Sequence, residues 1–237
     1  AASDVYKRQE YGVRKYGAHG TSHKYVSRRI NEILGREDTK IIVCHLGNGG
    51  SVSAVLNGKC IDTSMGFTPN AGVIMGSRCG DTDISILPYV MNITKMSAKE
   101  MDTIINKKSG LLGISGVSSD ARDVEEGAKD GNKRCLLALK MYNRRVIEYI
   151  AKYYVLLGGC DAICFTAGIG ENAIGTREEI MKGLEVLGVK VDEERNNVRG
   201  CEALLTKDSS KIPCYLIPTN EEVMIARDTY NLVLGNN

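Results

Sequence analysis

The hydrophobic and polar positions of this sequence alternate between strand-like runs and helix-like periods. Residues 51–55 alternate small polar with apolar side chains and are followed by Asn57-Gly58, so we predict a hairpin that returns as a strand over 60–64. Continuous apolar runs predict three further buried strands, at 40–44, 161–166 and 215–218.

Helical periods separate these strands. Thr21 or Ser22 can cap a helix over 26–34, and Ser97 with Glu100 has the spacing of a capping box. The helix that begins at this box should end before Gly110. Three further helices are predicted, over 123–157 with a break at 130–131, over 176–187 and over 221–234.

The longest helical pattern contains one apolar stripe that we expect to face a core, formed by Leu136, Leu139, Val146, Ile147, Ile150 and Tyr154. Strands that alternate with helices predict an α/β fold. Because the hairpin adds an antiparallel pair, the sheet should be mixed rather than purely parallel, with helices flanking it.

Composition narrows the class of protein. The 237 residues have a net charge of +2, and this near-neutral charge disfavours nucleic acid as a partner. The shares of 43% hydrophobic and 25% charged residues are typical of a globular protein and too apolar for a disordered one. The sequence contains no run of eighteen apolar residues and no apolar signal region, so we expect no membrane association and a cytoplasmic protein. The eight cysteines form no C-x-x-C pair and, with three histidines, no zinc pattern. We predict buried, reduced thiols.

Two glycine-rich segments follow predicted strands, where α/β proteins usually bind ligands. Residues 47–50 follow the first strand and 168–172 follow the second. Neither is a Walker A or G-x-G-x-x-G sequence, and either alone is explained by a tight turn. The two together favour a nucleotide cleft, because glycine lets backbone N–H groups approach phosphate.

Several polar residues have both a structural and a functional interpretation. His23 fits a solvated imidazole near a helix cap, whereas His19 precedes the cap and can point into a cleft. Arg78, flanked by glycines, can be a solvated side chain or a bidentate phosphoryl ligand. Asp120 fits a helix cap. Glu221 can complement a helix dipole or bind Mg²⁺.

In combination, these motifs resemble those of the acetate kinase family. The segments that carry the resemblance, in the family's order, are Lys15-Tyr-Gly-Ala-His-Gly-Thr-Ser-His23, Cys44-His-Leu-Gly-Asn-Gly49, Ile61-Asp-Thr-Ser-Met-Gly-Phe-Thr-Pro69, Met75-Gly-Ser-Arg78, Gly113-Ile-Ser-Gly116, Asp120-Ala-Arg122, Phe165-Thr-Ala-Gly-Ile-Gly-Glu-Asn172 and Pro218-Thr-Asn-Glu-Glu222. The resemblance implies the ribonuclease H-like ATPase domain of the actin, Hsp70 and sugar kinase superfamily. It also implies reversible phosphoryl transfer from ATP to acetate, giving acetyl phosphate and ADP.

The resemblance also implies residue roles. His19 and Arg78 would be catalytic, Ala18 and Pro69 would line the acyl pocket, and Glu221 would bind Mg²⁺ or Mn²⁺. ATP or ADP would be bound by His45, Leu46, Gly47, Asn48, Gly49, Asp120, Ala121, Arg122, Gly168, Ile169, Gly170, Glu171 and Asn172. The family forms homodimers, which we expect here.

Three departures from the family pattern modify these expectations. Ala18 stands where the family usually has a bulky aromatic, so we expect a roomier acyl pocket that accepts propionate. Ile84 replaces the usual proline after Asp83, which should change only the local backbone. Residues 1–9 do not match, so we expect an unmatched leader, a remnant of the substrate-side region over 10–36 and a nucleotide-binding domain over 37–237.

Counterparts of the family's N-terminal phosphate hairpin, substrate arginine and catalytic aspartate are not found in this sequence. We therefore expect a truncated acetate kinase that binds nucleotide weakly and transfers little by itself. The alternatives are a propionate or other short-chain acyl kinase, and a non-catalytic module for nucleotide binding or dimerisation.

Overall fold

The computed structural model describes residues 5–233. Within this range the chain divides into two compact units. The first unit contains residues 5–18, 48–51 and 64–149, and the second contains residues 19–47, 52–63 and 150–233. The predicted helix end at residue 234 and the first four residues of the predicted leader lie outside the described residues.

A six-stranded sheet in the described part of the chain forms the centre of the second unit. Gly50 and Ser51, at the start of its second strand, are assigned to the first unit. The strands are β1 (Lys40–Leu46), β2 (Gly50–Leu56), β3 (Lys59–Thr63), β4 (Ala162–Thr166), β5 (Ala203–Leu204) and β6 (Cys214–Leu216). Their order is β3-β2-β1-β4-β6-β5. Strands β1, β4 and β6 pair in parallel, whereas β2 with β3 and β5 with β6 are antiparallel. The predicted α/β class with a mixed sheet is confirmed.

Five of the six strands form near their predicted positions, whereas the two-residue strand β5 was not predicted. In β1 and β4 nearly every side chain is buried, as expected for parallel strands covered on both faces. The hairpin between β2 and β3 turns at Asn57 and Gly58, whose φ angles of 50° and 73° match the twist of a two-residue turn.

Eleven α-helices and one short 3₁₀ turn lie within the described residues. They are α1 (Val5–Tyr11), α2 (Gly20–Leu34), α3 (Ile86–Thr94), α4 (Ala98–Lys107), α5 (Gly110–Ser115), α6 (Ala121–Lys129), α7 (Lys133–Leu157), α8 (Ala167–Asn172), α9 (Ile174–Gly183), the 3₁₀ turn Glu185–Leu187, α10 (Glu193–Asn196) and α11 (Glu221–Val233). The capping box at Ser97 and Glu100 is present at the start of α4, and the predicted break separates α6 from α7.

Two local predictions are wrong. Helix α2 begins at Gly20, so Thr21 and Ser22 lie inside its first turn rather than capping it. The residue before it, His19, has φ 60° and ψ 24°, and this left-handed conformation starts the helix without a side-chain cap. The second glycine-rich segment is helical rather than a tight turn, because Gly168–Asn172 forms most of helix α8.

The face that α7 buries also differs from the predicted stripe. Among the six predicted positions only Val146 and Ile150 are buried, and Leu136 is 41% exposed. The buried face is formed by Cys135, Ala138, Tyr142, Val146, Tyr149, Ile150, Tyr153 and Leu157. The tyrosines and small side chains pack inward, while several leucines stay outside. Hydrophobicity alone did not separate these neighbouring faces.

Helix α2 packs against the sheet in the second unit. Val26 and Ile30 on α2 join Ile41 and Val43 of β1 and Cys164 of β4 in one buried cluster. In the first unit, the Leu111 N–H donates to the Met75 carbonyl at 2.9 Å, and both side chains are buried. These contacts hold α2 and the segment before Arg78 in place.

All eight cysteines lie in the described residues and are free thiols. Cys44, Cys135, Cys164 and Cys214 are buried, as predicted, and Cys79 and Cys160 are half-buried. Cys60 and Cys201 are exposed, so the prediction of burial is wrong for these two. No helix in the described part of the chain combines the length and the apolar character needed to cross a membrane.

The assignment of the buried face of α7 can be tested by measuring protein stability. Val146→Ala should lower the free energy of unfolding by about 2 kcal/mol, because it leaves a cavity at a fully buried position. Leu136→Ala should change it by less than about 0.5 kcal/mol, because Leu136 is 41% exposed. Urea unfolding followed by circular dichroism measures both, and equal losses would contradict the assigned face.

Candidate functional site

Three parallel strands of the second unit end at the same edge of the sheet. The register pairs His45 of β1 with Thr166 of β4, and Phe165 of β4 with Leu216 of β6. The segments that follow these strands therefore emerge side by side. The strand ends and the segments that follow them contain the predicted residues His45–Gly47, Gly168–Asn172 and Glu221. This is the edge at which open α/β sheets bind ligands.

Direct contacts join these three segments. A Cβ atom on Gly170 would lie 3.7 Å from the Leu46 Cβ, so α8 packs closely against the end of β1. The Glu171 Oε1 accepts hydrogen bonds from the backbone N–H of Ala167 at 2.9 Å and of Thr219 at 3.2 Å. The Glu171 carboxylate thus ties α8 to the turn before α11.

A cluster of three histidines lies at the end of β1 and the start of α2. The His19 and His45 rings stack with their centroids 4.0 Å apart and an angle of 17° between their planes. His45 Nδ1 lies 2.8 Å from Ser22 Oγ, and His23 Nδ1 lies 2.8 Å from Ser53 Oγ. Both hydrogen bonds are buried, so the two imidazoles are held in fixed orientations.

Burial keeps two of these histidines uncharged. Desolvation, followed by repulsion from the neighbouring histidines, lowers the pKa of His23 and that of His45 to about 3. His23 and His45 are 5% and 8% exposed, so the solvated-imidazole interpretation of His23 is wrong. At neutral pH these side chains can orient ligands or neighbours only as neutral hydrogen-bonding groups.

Arg177 holds the end of helix α8 in place, although the sequence did not indicate this role. Its guanidinium is fully buried and donates to the carbonyls of Gly170 and Glu171 at 3.0 Å each. It also bonds the side chain and carbonyl of Asn196 and the carbonyl of Val198. These bonds fix the end of α8, and desolvation lowers the pKa of Arg177 to about 10. Its acceptors are mostly backbone carbonyls, which leave no local sequence motif.

The turn before α11 has groups that fit a hydrated cation. The Glu221 carboxylate is half-buried, and no described residue forms an ion pair or hydrogen bond with it. The nearby Thr219 Oγ1 is buried without a hydrogen-bond partner among the described residues. No cluster of three or more histidine, cysteine, aspartate or glutamate side chains that could hold a metal occurs in the described chain. One carboxylate suffices for Mg²⁺, which keeps several waters and uses substrate phosphates as ligands.

The first unit brings together another set of predicted residues. The Gly76 N–H donates to the Asn48 carbonyl at 2.9 Å. A Cβ on Gly76 would lie 1.9 Å from Asn48 Oδ1 and 2.6 Å from the Ser119 carbonyl, so only glycine fits there. Arg78, two residues later, donates from Nη1 to the Pro69 carbonyl at 2.8 Å. Hydrogen bonds thus anchor the segment 76–78 to Asn48 at Gly76 and to Pro69 at Arg78.

Asp120–Arg122 begins helix α6 in the same unit. The Asp120 side chain caps the helix by accepting from the Arg122 N–H at 2.9 Å, as predicted. Arg122 Nη2 lies 2.6 Å from Asp120 Oδ2, and these hydrogen bonds lower the pKa of Asp120 to about 2. The cap is thus ionised at neutral pH.

Ala18 lies in the first unit and is half-buried. The residues just before it are anchored by the Gly66 carbonyl, which accepts from the N–H groups of Tyr16 and Gly17 at 3.0 and 3.2 Å. Gly66 belongs to the segment that continues to Pro69. The two predicted acyl-pocket positions, Ala18 and Pro69, therefore lie on segments that contact each other.

Comparison with protein families identifies the relatives of this chain. A model described as the Acetokinase family matches residues 3–227. The chain belongs to the acetokinase family. The match begins at residue 3, inside the stretch 1–9 that we expected to lie outside the resemblance, and the domain boundaries stay predictions.

Two acetate kinases that resemble this chain are longer than it is. The acetate kinase of Treponema denticola is 56% identical over 227 residues, covering 95% of this chain and 57% of the relative. That of Methanosarcina barkeri is 54% identical over 232 residues, covering 97% of this chain and 56% of the relative. The chain thus spans somewhat more than half the length of the curated relatives that it matches.

Solved acetokinase structures share the fold. The acetate kinase of Porphyromonas gingivalis superimposes with a TM-score of 0.95 at 44% identity, covering 98% of this chain and 59% of that one. A propionate kinase from Francisella tularensis gives a TM-score of 0.91 at 42% identity, covering 96% and 58%. The described fold is therefore that of the corresponding part of these kinases.

The uncharged histidines predict how acetokinase stability depends on pH. An unfolded histidine takes up a proton below its ordinary pKa of 6.5, whereas folded His23 and His45 do so only near pH 3. At pH values well above 6.5 these histidines are neutral in both states and do not change the free energy of unfolding. The free energy of unfolding falls as the pH drops from 6.5 towards 3. Each should remove about 2 kcal/mol between pH 7 and pH 5.

Urea unfolding at several pH values measures this dependence, with His45→Gln as the comparison. The variant should lose about half of the histidine-dependent decrease, because one of the two groups is gone. An identical decrease in wild type and His45→Gln would show that His45 is not buried in its neutral form.

Proposed function

We propose that this chain supplies the nucleotide-binding side of a phosphotransferase that transfers a phosphoryl group between ATP and a short carboxylate, with acetate as the first candidate. Membership of the acetokinase family supports the reaction class. The observation that carries the proposal is the stacked pair of His19 and His45 at the ligand-binding edge of the sheet. This pair supplies imidazole groups next to the glycine-rich segment 47–49, which is suited to phosphate binding.

The proposed mechanism depends on positioning and charge stabilisation rather than on a covalent nucleophile. The backbone of His45–Gly47, with Asn48 and Gly49, would hold the nucleotide phosphates. His19 and Arg78 would donate hydrogen bonds to the equatorial oxygens as negative charge develops on the transferring phosphoryl group. Neutral His45 beneath His19 would fix the orientation of that ring.

Other residues would hold the rest of the nucleotide. Asp120–Arg122 and Gly168–Asn172 would line the adenosine site. Glu221, whose carboxylate has no partner among the described residues, would hold Mg²⁺ or Mn²⁺. The metal would neutralise phosphate charge when bound. The proposal also includes a cytoplasmic homodimer, without nucleic-acid or membrane partners. The alternative of a non-catalytic module predicts the same nucleotide binding but no transfer.

A specific observation favours a second acyl substrate. Ala18 presents only a methyl group, so a pocket bounded by Ala18 and Pro69 has room for one more methylene than an aromatic side chain would leave. The similarity to a propionate kinase is consistent with this. We therefore propose propionate as an alternative substrate of the same site.

Nucleotide binding tests the central proposal. Isothermal titration of the chain with ADP should show binding that is tighter with Mg²⁺ than without it. Glu221→Gln should weaken binding in Mg²⁺ by about tenfold, because a charge-assisted interaction is lost, and should leave metal-free binding unchanged. Glu179→Gln, an exposed residue of the same unit, is the control. Absence of ADP binding by the wild type would overturn the proposal.

Acyl specificity tests the role assigned to Ala18. Relatives are longer, so the measurement uses the chain alone and a chimera in which the N-terminal part of the T. denticola enzyme precedes residue 10. We expect little acyl phosphate from the chain and robust formation by the chimera. Ala18→Phe in the chimera should lower the propionate-to-acetate ratio of kcat/KM by about tenfold. An unchanged ratio would remove Ala18 from the acyl pocket, and no transfer by the chimera would favour the non-catalytic module.

A further inference from the structure

We propose that Ser22 is a positioning residue that donates its hydroxyl proton to His45 Nδ1 and thereby fixes His45 as the Nε2–H tautomer, an uncharged donor for a nucleotide phosphate oxygen. This inference rests on the proposed function, in which the end of β1 holds the phosphates. It adds Ser22, for which the sequence predicts only a helix cap, to the residues that support phosphate binding. The group that His45 would bind is a phosphate oxyanion.

The direction of the hydrogen bond follows from the burial of Ser22. Its side chain is fully buried, and its oxygen lies 2.8 Å from His45 Nδ1. No other acceptor for its proton occurs among the described residues. A buried hydroxyl places its proton on an acceptor, because an unsatisfied donor costs about 1–3 kcal/mol. If His45 carried its proton on Nδ1, the Ser22 proton would have nowhere to go.

The second nitrogen of His45 is then a donor. A neutral imidazole has one N–H and one bare nitrogen, so a proton accepted at Nδ1 from Ser22 leaves the N–H at Nε2. No described residue forms a hydrogen bond with Nε2. Phosphate oxygens accept hydrogen bonds, so they pair with this tautomer and not with the other. The segment Gly47–Gly49, directly after His45, is the one proposed to hold phosphate.

The stacked partner explains why an uncharged donor suits this place. The His19 and His45 rings are 4.0 Å apart and nearly parallel, so two positive charges there would repel strongly in a partly buried site. Burial and His19 both lower the pKa of His45. His45 can therefore donate to a phosphate oxygen while it stays uncharged beside His19.

The chain contains a matched control. Ser53 forms the same kind of buried bond with Nδ1 of His23, also at 2.8 Å. However, the His23 ring is tilted, with its centroid 6.5 Å from that of His19 and 6.1 Å from that of His45. Removing the Ser53 hydroxyl should therefore change the His23 tautomer and leave phosphate binding unaffected.

Nitrogen NMR of the full chain tests the tautomer. With three histidines in the whole sequence, selective ¹⁵N labelling gives three imidazole spin systems. At pH 7 we expect a proton-bearing Nε2 and a bare Nδ1 for His45. Ser22→Ala should shift His45 towards a mixture of tautomers, and Ser53→Ala should affect His23 alone. A proton-bearing Nδ1 of His45 in the wild type overturns the proposal without any variant having to fold.

Ligand binding separates positioning from a merely structural role. Titration with ADP and with adenosine should show that Ser22→Ala weakens ADP binding by about tenfold and leaves adenosine binding unchanged. Only ADP has phosphate oxygens that can accept a hydrogen bond from His45. Ser53→Ala should change neither. Equal weakening of both ligands in Ser22→Ala would contradict the proposal. Wild-type binding of neither ligand would contradict the proposed function, and the tautomer would still decide the role of Ser22.

Discussion

The parallel alignment of β1, β4 and β6 is the constraint on which the rest of the second unit depends. Parallel pairing brings the carboxyl ends of all three strands to one edge, although 115 or more residues separate β1 from β4 in the sequence. Helices α8 and α11 follow β4 and β6, whereas residues 47–49 connect β1 to β2. The contacts of Gly170 with Leu46 and of Glu171 with Thr219 follow from this alignment.

The polar groups at this edge are arranged so that few uncompensated charges are buried. His23 and His45 are neutral and hydrogen-bonded to serines, and the Arg177 guanidinium is surrounded by carbonyl oxygens. Such satisfied networks hold their members in single orientations, since breaking one bond leaves an unpaired buried group. The proposed phosphoryl transfer would need this rigidity, because its catalysis would depend on positioning.

Local chemistry explains which elements were predictable. The continuous apolar runs of β1 and β4, the Asn57-Gly58 turn and the Ser97–Glu100 capping box each act over a few residues, so the sequence reveals them directly. The start of α2 was not predictable in this way, because left-handed His19 replaces a side-chain cap. The buried face of α7 was not predicted because both its leucines and its tyrosines are hydrophobic enough to be buried. Which of them lie in the core depends on the neighbouring elements that pack against the helix.

The sequence by itself determined the buried strands β1 and β4, the hairpin and the motifs that mark the acetokinase family, whereas short elements such as β5 and α10 were not predicted. Only the tertiary structure decided which polar side chains pair and in which protonation state. Ser22 meets His45, Ser53 meets His23, and Arg177 meets Asn196, each across 19 or more residues. A pKa depends on desolvation and on such partners, so the ionisation of these groups exists as a definite property only after the chain has folded.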